Sequence, residues 1–303
     1  MILPSGRGCA TTAMKPPDAA TPKSPMKSWI EYWNTDSPVY VSARHKLLHY
    51  RLVAGDIAAL MRTGDREVLD YGCGEAMSAD EVGASCDRLW LCEAGPNLRE
   101  GLVRRFAGTP AIAVIAPEEI SAAIPDGSLD LVVANSLLQY LTRETLDGLI
   151  ALWRAKLAPG GRLIIGDVIP PDVGPLTDAK ALLSFAAKGG FFLAAVAGLV
   201  RTAVSDYRKL RAELGLATYT ERQMLDILQA AGFEARRLNR NIGHNPARMT
   251  FEATKPAASA REAATGDVLL TAHPENDIVT PDPATGPHTH EEPPVPKTRP
   301  DLI

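Results

Sequence analysis

Asp70-Tyr71-Gly72-Cys73-Gly74 ends an apolar run with a carboxylate and follows it with two glycines one residue apart. In that order the acid closes a parallel strand where a sheet opens at its carboxyl edge. The glycines let the main chain bend tightly and approach a ligand where a Cβ would block it. A second carboxylate, Glu93, ends the apolar run Leu89-Trp90-Leu91-Cys92, 23 residues beyond Asp70. At that distance a second strand presents an acid to a ribose, and its two oxygens can accept from both sugar hydroxyls. Dinucleotide-binding turns carry a third glycine three residues after the second; here Met77 stands in that place, and a nicotinamide cofactor becomes the weaker reading.

The elements that must position these groups come in the order of a doubly wound sheet. Val68-Leu69 supplies the buried end of a first strand, residues 89–92 a second and residues 111–115 a third. Pro125-Asp126-Gly127-Ser128-Leu129-Asp130 is turn chemistry leading into a fourth strand, Leu131-Val132-Val133-Ala134, apolar enough to be covered on both faces. Leu146, Leu149, Ile150, Trp153 and Leu157 recur at helical spacing, and Pro159-Gly160-Gly161 separates that helix from a fifth strand over 162–168. Thr220 and Gln223 form a capping-box pattern ahead of Met224, Leu225 and Leu228, with Gly232 as the stop. Residues 233–238 and 249–254 then read as two closing strands.

The D-x-G-x-G turn, the P-D-G-S-x-D-L-V-V stretch, L-x-P-G-G-x-L-x-I and the terminal strand pair together resemble the class I S-adenosylmethionine-dependent methyltransferases of small-molecule type, over roughly residues 45–256. The resemblance implies a Rossmann-like α/β fold, doubly wound, with a mostly parallel seven-stranded sheet, a closing antiparallel hairpin and a helical insertion after strand 5. It implies S-adenosyl-L-methionine as cofactor, held by Asp70, Tyr71, Gly72, Cys73 and Gly74 at the turn. Glu93, with Ala94, would take the ribose, Glu118 would lie near the adenine amino group, and Asn135 and Ser136 would face the sulfur. Methyltransferases of base amines or glutamine amides usually carry an N/D-P-P-Y/F tetrad after the fourth strand. Asn135-Ser136-Leu137-Leu138 stands there instead, which favours a small molecule or lipid-like metabolite.

Composition sets the limits of the domain. With 303 residues, 46% of them hydrophobic, the chain can bury one sizeable core. Fourteen of its 24 prolines fall in residues 1–26 and 256–303, so a disordered N-terminal tail (1–26) and a disordered, acidic, Pro-rich tail (257–303) are expected to flank a domain over 27–256. The tails carry net charges of +2 and −5, which leaves about −1 for the rest and argues against a nucleic-acid partner. Cysteines 9, 73, 86 and 92 have no metal-ligand spacing and read as reduced thiols of a cytoplasmic protein, and the first residues lack a secretory-signal pattern.

Two segments outside the common sheet should govern the choice of acceptor. A helical cap over 27–60 holds Trp29, Tyr32, Trp33, Tyr40 and Tyr50, five of the 17 aromatic residues; with Tyr140 these are candidates to wall a substrate pocket, or rings that only pack the cap. His45 and His49 share a helical face but lack the third ligand of a metal site. Arg44 or Arg51 could meet the cofactor's carboxylate, or lie on a solvated face. The second segment, 170–219, is apolar at its centre, with Phe185, Phe191, Phe192, Leu193, Val196, Leu199 and Val200, and is broken by Gly189-Gly190. Its continuous apolar stretch is too short for a bilayer span, which takes about 20 residues, so it reads as a lid or as a peripheral membrane contact over 185–211. Val200, Val204, Tyr207, Leu210 and Leu214 follow at helical spacing, with Arg201, Arg208, Lys209 and Arg211 between them. An apolar cap beside the methyl donor favours a hydrophobic or amphipathic acceptor. His49, His244 and Tyr140 are available as bases, and nothing in their spacing selects one. A methyltransferase-like fold that binds without turnover is the alternative reading.

Overall fold

In the computed structural model, residues 29–34, 40–203 and 215–257 are described. The expected tail over 1–26, the tail over 257–303 apart from its first residue, and the positions from Val204 to Leu214 lie outside them. The strands are β1 (Glu67–Tyr71), β2 (Arg88–Cys92), β3 (Ile112–Ile115), β4 (Leu129–Asn135), β5 (Leu157–Val168), β6 (Glu234–Arg237) and β7 (Met249–Thr254). They form one sheet in the order β3-β2-β1-β4-β5-β7-β6. The first five are parallel, and β7 runs antiparallel to both β5 and β6. The chain winds outward in one direction from β1 and in the other from β4. The crevice between their carboxyl ends is where such sheets take ligands.

The alternation of strand residues sorts the core into two layers. Leu69, Val132 and Ala134 face one side with Leu146, Ile150 and Trp153 of α6 (Arg143–Lys156), Ile120 of α5 (Ile120–Ala123), and Met224 and Leu228 of α9 (Glu221–Ala230). Val68, Leu131 and Val133 face the other with Ala54 and Ile57 of α2 (Ala43–Leu60), Ala79 and Val82 of α3 (Ala79–Gly83), and Leu102 and Phe106 of α4 (Pro96–Phe106). Both layers are built from strands whose residues are apolar on each face, as expected of a sheet covered twice. Thr220 and Gln223 make the reciprocal capping box, with Gln223 N donating to Thr220 Oγ1 at 3.2 Å and Thr220 N to Gln223 Oε1 at 2.8 Å.

The cap consists of α1 (Trp29–Trp33) and α2; the insertion holds α7 (Pro175–Gly189) and α8 (Phe192–Ala203). Gly190 ends α7 with φ of +72°, a left-handed conformation that suits glycine at a helix end. Val41, Ala186, Phe191 and Ala195 bury a third, smaller core that fixes α7 and α8 against the start of α2. Arg44 donates from Nε to the Gly189 carbonyl at 2.5 Å. Beyond this contact α7 and α8 leave Leu176, Leu193 and Val200 exposed.

An ion-pair knot lies under the sheet's far end. Arg162, only 1% exposed, donates from Nη1 to Glu252 Oε2 at 3.1 Å and to the Leu60 carbonyl at 3.0 Å, and from Nη2 to Asp65. One guanidinium thus joins β5, β7, the end of α2 and the turn before β1.

Candidate functional site

Carboxyl-edge residues of β1, β2 and β4 meet the two cap helices around a cavity of about 960 Å³. Asp70, Tyr71, Gly72, Cys73, Gly74, Glu93, Ala94, Asn135 and Ser136 line it, drawn together from three separate stretches of sequence. Gly72 and Gly74 have φ of +75° and +61°, so the turn itself requires glycine there. A Cβ on Gly74 would lie 2.9 Å from the Tyr50 hydroxyl, which accepts from Glu75 N at 3.0 Å. Glu93 is 8% exposed, and its two oxygens each accept one main-chain amide, Gly74 N at 2.9 Å and Gly95 N at 2.7 Å. Burial raises the Glu93 carboxyl above its usual range, while those amides oppose the rise. Burial, with Glu93 close by, pushes Asp70 up to about 7.

Trp29, Trp33, Tyr40, Tyr50 and Tyr140 also line the cavity. The tilted Trp29 and Tyr140 rings pack at 4.7 Å and close one side of it. Tyr32 takes a different place: it is 2% exposed, off the cavity wall, and packed edge-on against Trp29 and Trp33 at 6.1 and 5.3 Å. On the short helix α1, residue 32 points inward when residues 29 and 33 face the cavity. Glu118 is likewise outside the wall, exposed on the turn Pro117–Glu119. Pro117 faces the cavity, and Glu119 folds back so that its Oε2 accepts from Ala116 N at 2.6 Å. The cations before the first strand are engaged elsewhere: Arg44 holds Gly189, and Arg51 lies 3.8 Å from Glu81.

A second chamber of about 280 Å³ adjoins the first, with Tyr40, His49, Asn135, Ser136, Gln139 and Tyr140 belonging to both walls. Its far side holds His45, Asp167, Asp178, His244 and Arg248. Ser136 and Asp167, at the ends of neighbouring strands, have φ of +54° and +60° and are joined by a 2.8 Å hydrogen bond from Ser136 Oγ to Asp167 Oδ2. Two non-glycine residues in left-handed conformations side by side are strain of the kind that collects at ligand sites. Arg248 donates to Asp167 at 2.6 Å and to Asp178 at 3.1 Å. The reading from sequence missed Asp167, although it follows the apolar strand 162–166 much as Asp70 and Glu93 end theirs, and that signal was available. Arg248 had none, because its partners lie 81 and 70 residues away.

No group of His, Cys, Asp and Glu among the described residues has the arrangement of a metal site. Cys73, Cys86 and Cys92 are free thiols, with Cys86 only partly buried. The glycine cradle, the buried acid beside it and a cavity with aromatic walls fit an adenosyl group with an amino-acid tail.

Residues 69–165 match the family described as a methyltransferase domain. No curated protein matches the chain. Among solved structures, a phosphoethanolamine N-methyltransferase from Haemonchus contortus, in complex with phosphoethanolamine and S-adenosylhomocysteine, aligns over 77% of this chain and 48% of its own, with 13% identity and a TM-score of 0.52. A SAM-dependent methyltransferase from Aquifex aeolicus aligns over 73% of this chain and 98% of its own, with 15% identity and a TM-score of 0.44.

Proposed function

We propose that this chain, whose residues 69–165 match a methyltransferase domain, is a class I S-adenosylmethionine-dependent methyltransferase, and that its larger cavity holds the methyl donor and presents it to a small amphipathic acceptor. The observation that carries the assignment is the Glu93 carboxylate, buried in the wall and tied to Gly74 of the glycine turn. Each of its oxygens keeps a lone pair free for a ribose hydroxyl. Gly72 and Gly74 admit the amino-acid tail close to the main chain. Ala94 flanks the sugar, Asn135 and Ser136 stand toward the sulfur, and Asp70 offers a carboxylate on the same wall for a donor's positive charge. Pro117 takes the place beside adenine that the sequence pattern assigned to Glu118.

The donor supplies an activated methyl group, so the protein's work is chiefly to hold an acceptor in line at reacting distance and to keep water out. Trp29, Trp33 and Tyr140 provide an apolar wall suited to the greasy part of an acceptor. The outward Leu176, Leu193 and Val200 support peripheral contact with a lipid surface; sedimentation with vesicles of anionic lipid tests this, and absence of the protein from the pellet refutes it. The three free thiols support a reducing, cytoplasmic setting.

Isothermal titration with S-adenosylhomocysteine, with NAD as control, tests the donor assignment. Micromolar binding of the first alone is expected; no binding, or preference for NAD, overturns it.

A further inference from the structure

The glycine turn has spent its own hydrogen-bond donors. Gly72 N and Cys73 N donate to the Cys92 carbonyl at 2.8 and 3.2 Å, and Ala76 N donates to the Cys73 carbonyl at 3.3 Å. Gly74 N goes to Glu93 Oε2 at 2.9 Å and Glu75 N to the Tyr50 hydroxyl at 3.0 Å. Each main-chain amide carries one proton, so these five successive amides hold the turn in shape and none is left over for a ligand. The donor proposed for this cavity carries a carboxylate on the tail that Gly72 and Gly74 admit. Arg44 is held at the Gly189 carbonyl and Arg51 faces Glu81, so the carboxylate has to draw its hydrogen bonds from other side chains.

Two hydroxyls stand at that place. Tyr50 Oη lies 2.9 Å from where a Cβ on Gly74 would be, and Tyr40 and Tyr50 both line the cavity with ring centroids 5.9 Å apart. A side-chain hydrogen bond joins the two phenols. The pair owns two protons: their mutual bond takes one, the Tyr50 oxygen already accepts from Glu75 N, and the other proton is left over. The bond lowers the Tyr40 phenol and raises that of Tyr50, as when Tyr50 donates and Tyr40 accepts, so the remaining proton is Tyr40's. Burial pushes Tyr40 up to about 12, which keeps that proton on oxygen at neutral pH. Lys46 Nζ lies 5.5 Å from the centroid of the Tyr40 ring and is ion-paired with Glu75, whose charge would otherwise oppose an anion here.

We propose that the Tyr40 hydroxyl, oriented by Tyr50, is the hydrogen-bond donor that receives the carboxylate of the methyl donor's amino-acid tail. The inference rests on the reading of the larger cavity as the donor's site. A neutral phenol fills the role that a cation before the first strand was expected to fill, and its bond to a carboxylate is charge-assisted. Tyr40 also belongs to the wall of the smaller chamber, so the contact places the tail at the boundary between the two chambers.

The test titrates wild type and Tyr40→Phe with S-adenosylhomocysteine and with S-adenosyl-3-thiopropylamine, the same thioether without its carboxylate. The variant keeps the ring and loses only the hydroxyl. The preference for S-adenosylhomocysteine over the amine should fall at least about tenfold in Tyr40→Phe, because a hydrogen bond to a charged group is lost with one ligand and not with the other. A purely structural role would weaken both ligands alike and leave the preference unchanged, and that result overturns the inference. Tyr50→Phe also removes the acceptor of Glu75 N and should weaken both ligands. A loss confined to S-adenosylhomocysteine in Tyr50→Phe, with Tyr40→Phe unaffected, would move the contact to Tyr50 and overturn the assignment to Tyr40. Failure of both ligands to bind the wild type would overturn the donor reading itself and this inference with it, which keeps the two failures distinct.

Discussion

The Glu93 carboxylate accepts Gly74 N and Gly95 N with one oxygen each, and so joins the glycine turn to the end of β2 before any ligand arrives. Removing it deletes the main-chain bonds that hold the turn and, in the proposed donor site, a charge-assisted pair of hydrogen bonds to the sugar. Glu93→Ala should therefore weaken S-adenosylhomocysteine binding at least tenfold, a cost of about 1.5 to 3 kcal/mol; titration of a folded variant with unchanged affinity would take Glu93 out of the site. Gly74→Val combines a left-handed φ with a Cβ placed on the Tyr50 hydroxyl. Loss of binding is expected, and normal binding by that variant would disprove the assignment of the turn. These two residues were legible in the sequence because their chemistry is local: an acid at a strand end and a glycine at a tight turn declare themselves within a few positions. Glu118 was less legible, since the 3-10 turn Pro117–Glu119 sets Pro117 toward the cavity and leaves both adjacent acids exposed.

At the scale of elements, the strands and the helices near 146–157 and 221–230 followed from periodicity and turn chemistry, and β7 occupies the residues 249–254 expected of it. What sequence could not supply is contact between elements far apart in the chain. The Arg162 knot is the clearest case, because a lone arginine beside the Gly160-Gly161 turn gives no hint of burial against Asp65 and Glu252. Arg162→Leu would leave the buried Asp65 without its cation and Glu252 with Arg236 and Arg62 alone. A stability loss of about 3 to 5 kcal/mol is expected in denaturant unfolding; a loss below about 1 kcal/mol would mean that Arg236, 2.9 Å from Glu252, already carries the compensation. The nearness of the His244 ring to His45 and His49, at centroid distances of 6.4 and 6.1 Å, escaped in the same way. His45 and His49 were visible as one helical face, but His244 joins them only through the fold.

For the whole molecule, buried titratable groups set opposing slopes of stability with pH. Asp70 binds its proton more tightly folded, at about 7, than unfolded, at about 4, so between those values the folded state holds more protons and stability falls as pH rises. His45 and His49 behave oppositely: their folded values of about 4 and 3 lie below the unfolded value near 6.5, and stability is lost as pH falls from there. Thermal melts should thus show Asp70→Asn flattening the loss toward pH 7 and His45→Phe flattening the loss below pH 6.5; unchanged slopes would contradict these burials. The two chambers also draw on different parts of the chain. The segment matched to the methyltransferase family, 69–165, carries the donor-side strands, whereas His45, Asp167, Asp178, His244 and Arg248 all lie outside it. That division explains why the glycine turn was readable from sequence and the smaller chamber was not. The Tyr50 hydroxyl crosses the division, since from α2 it caps Glu75 N and stands over Gly74. A gene fragment trimmed to the recognisable segment would therefore encode a glycine turn open to water on the side that Tyr50 covers, and would be a poor stand-in for the enzyme in any screen for inhibitors.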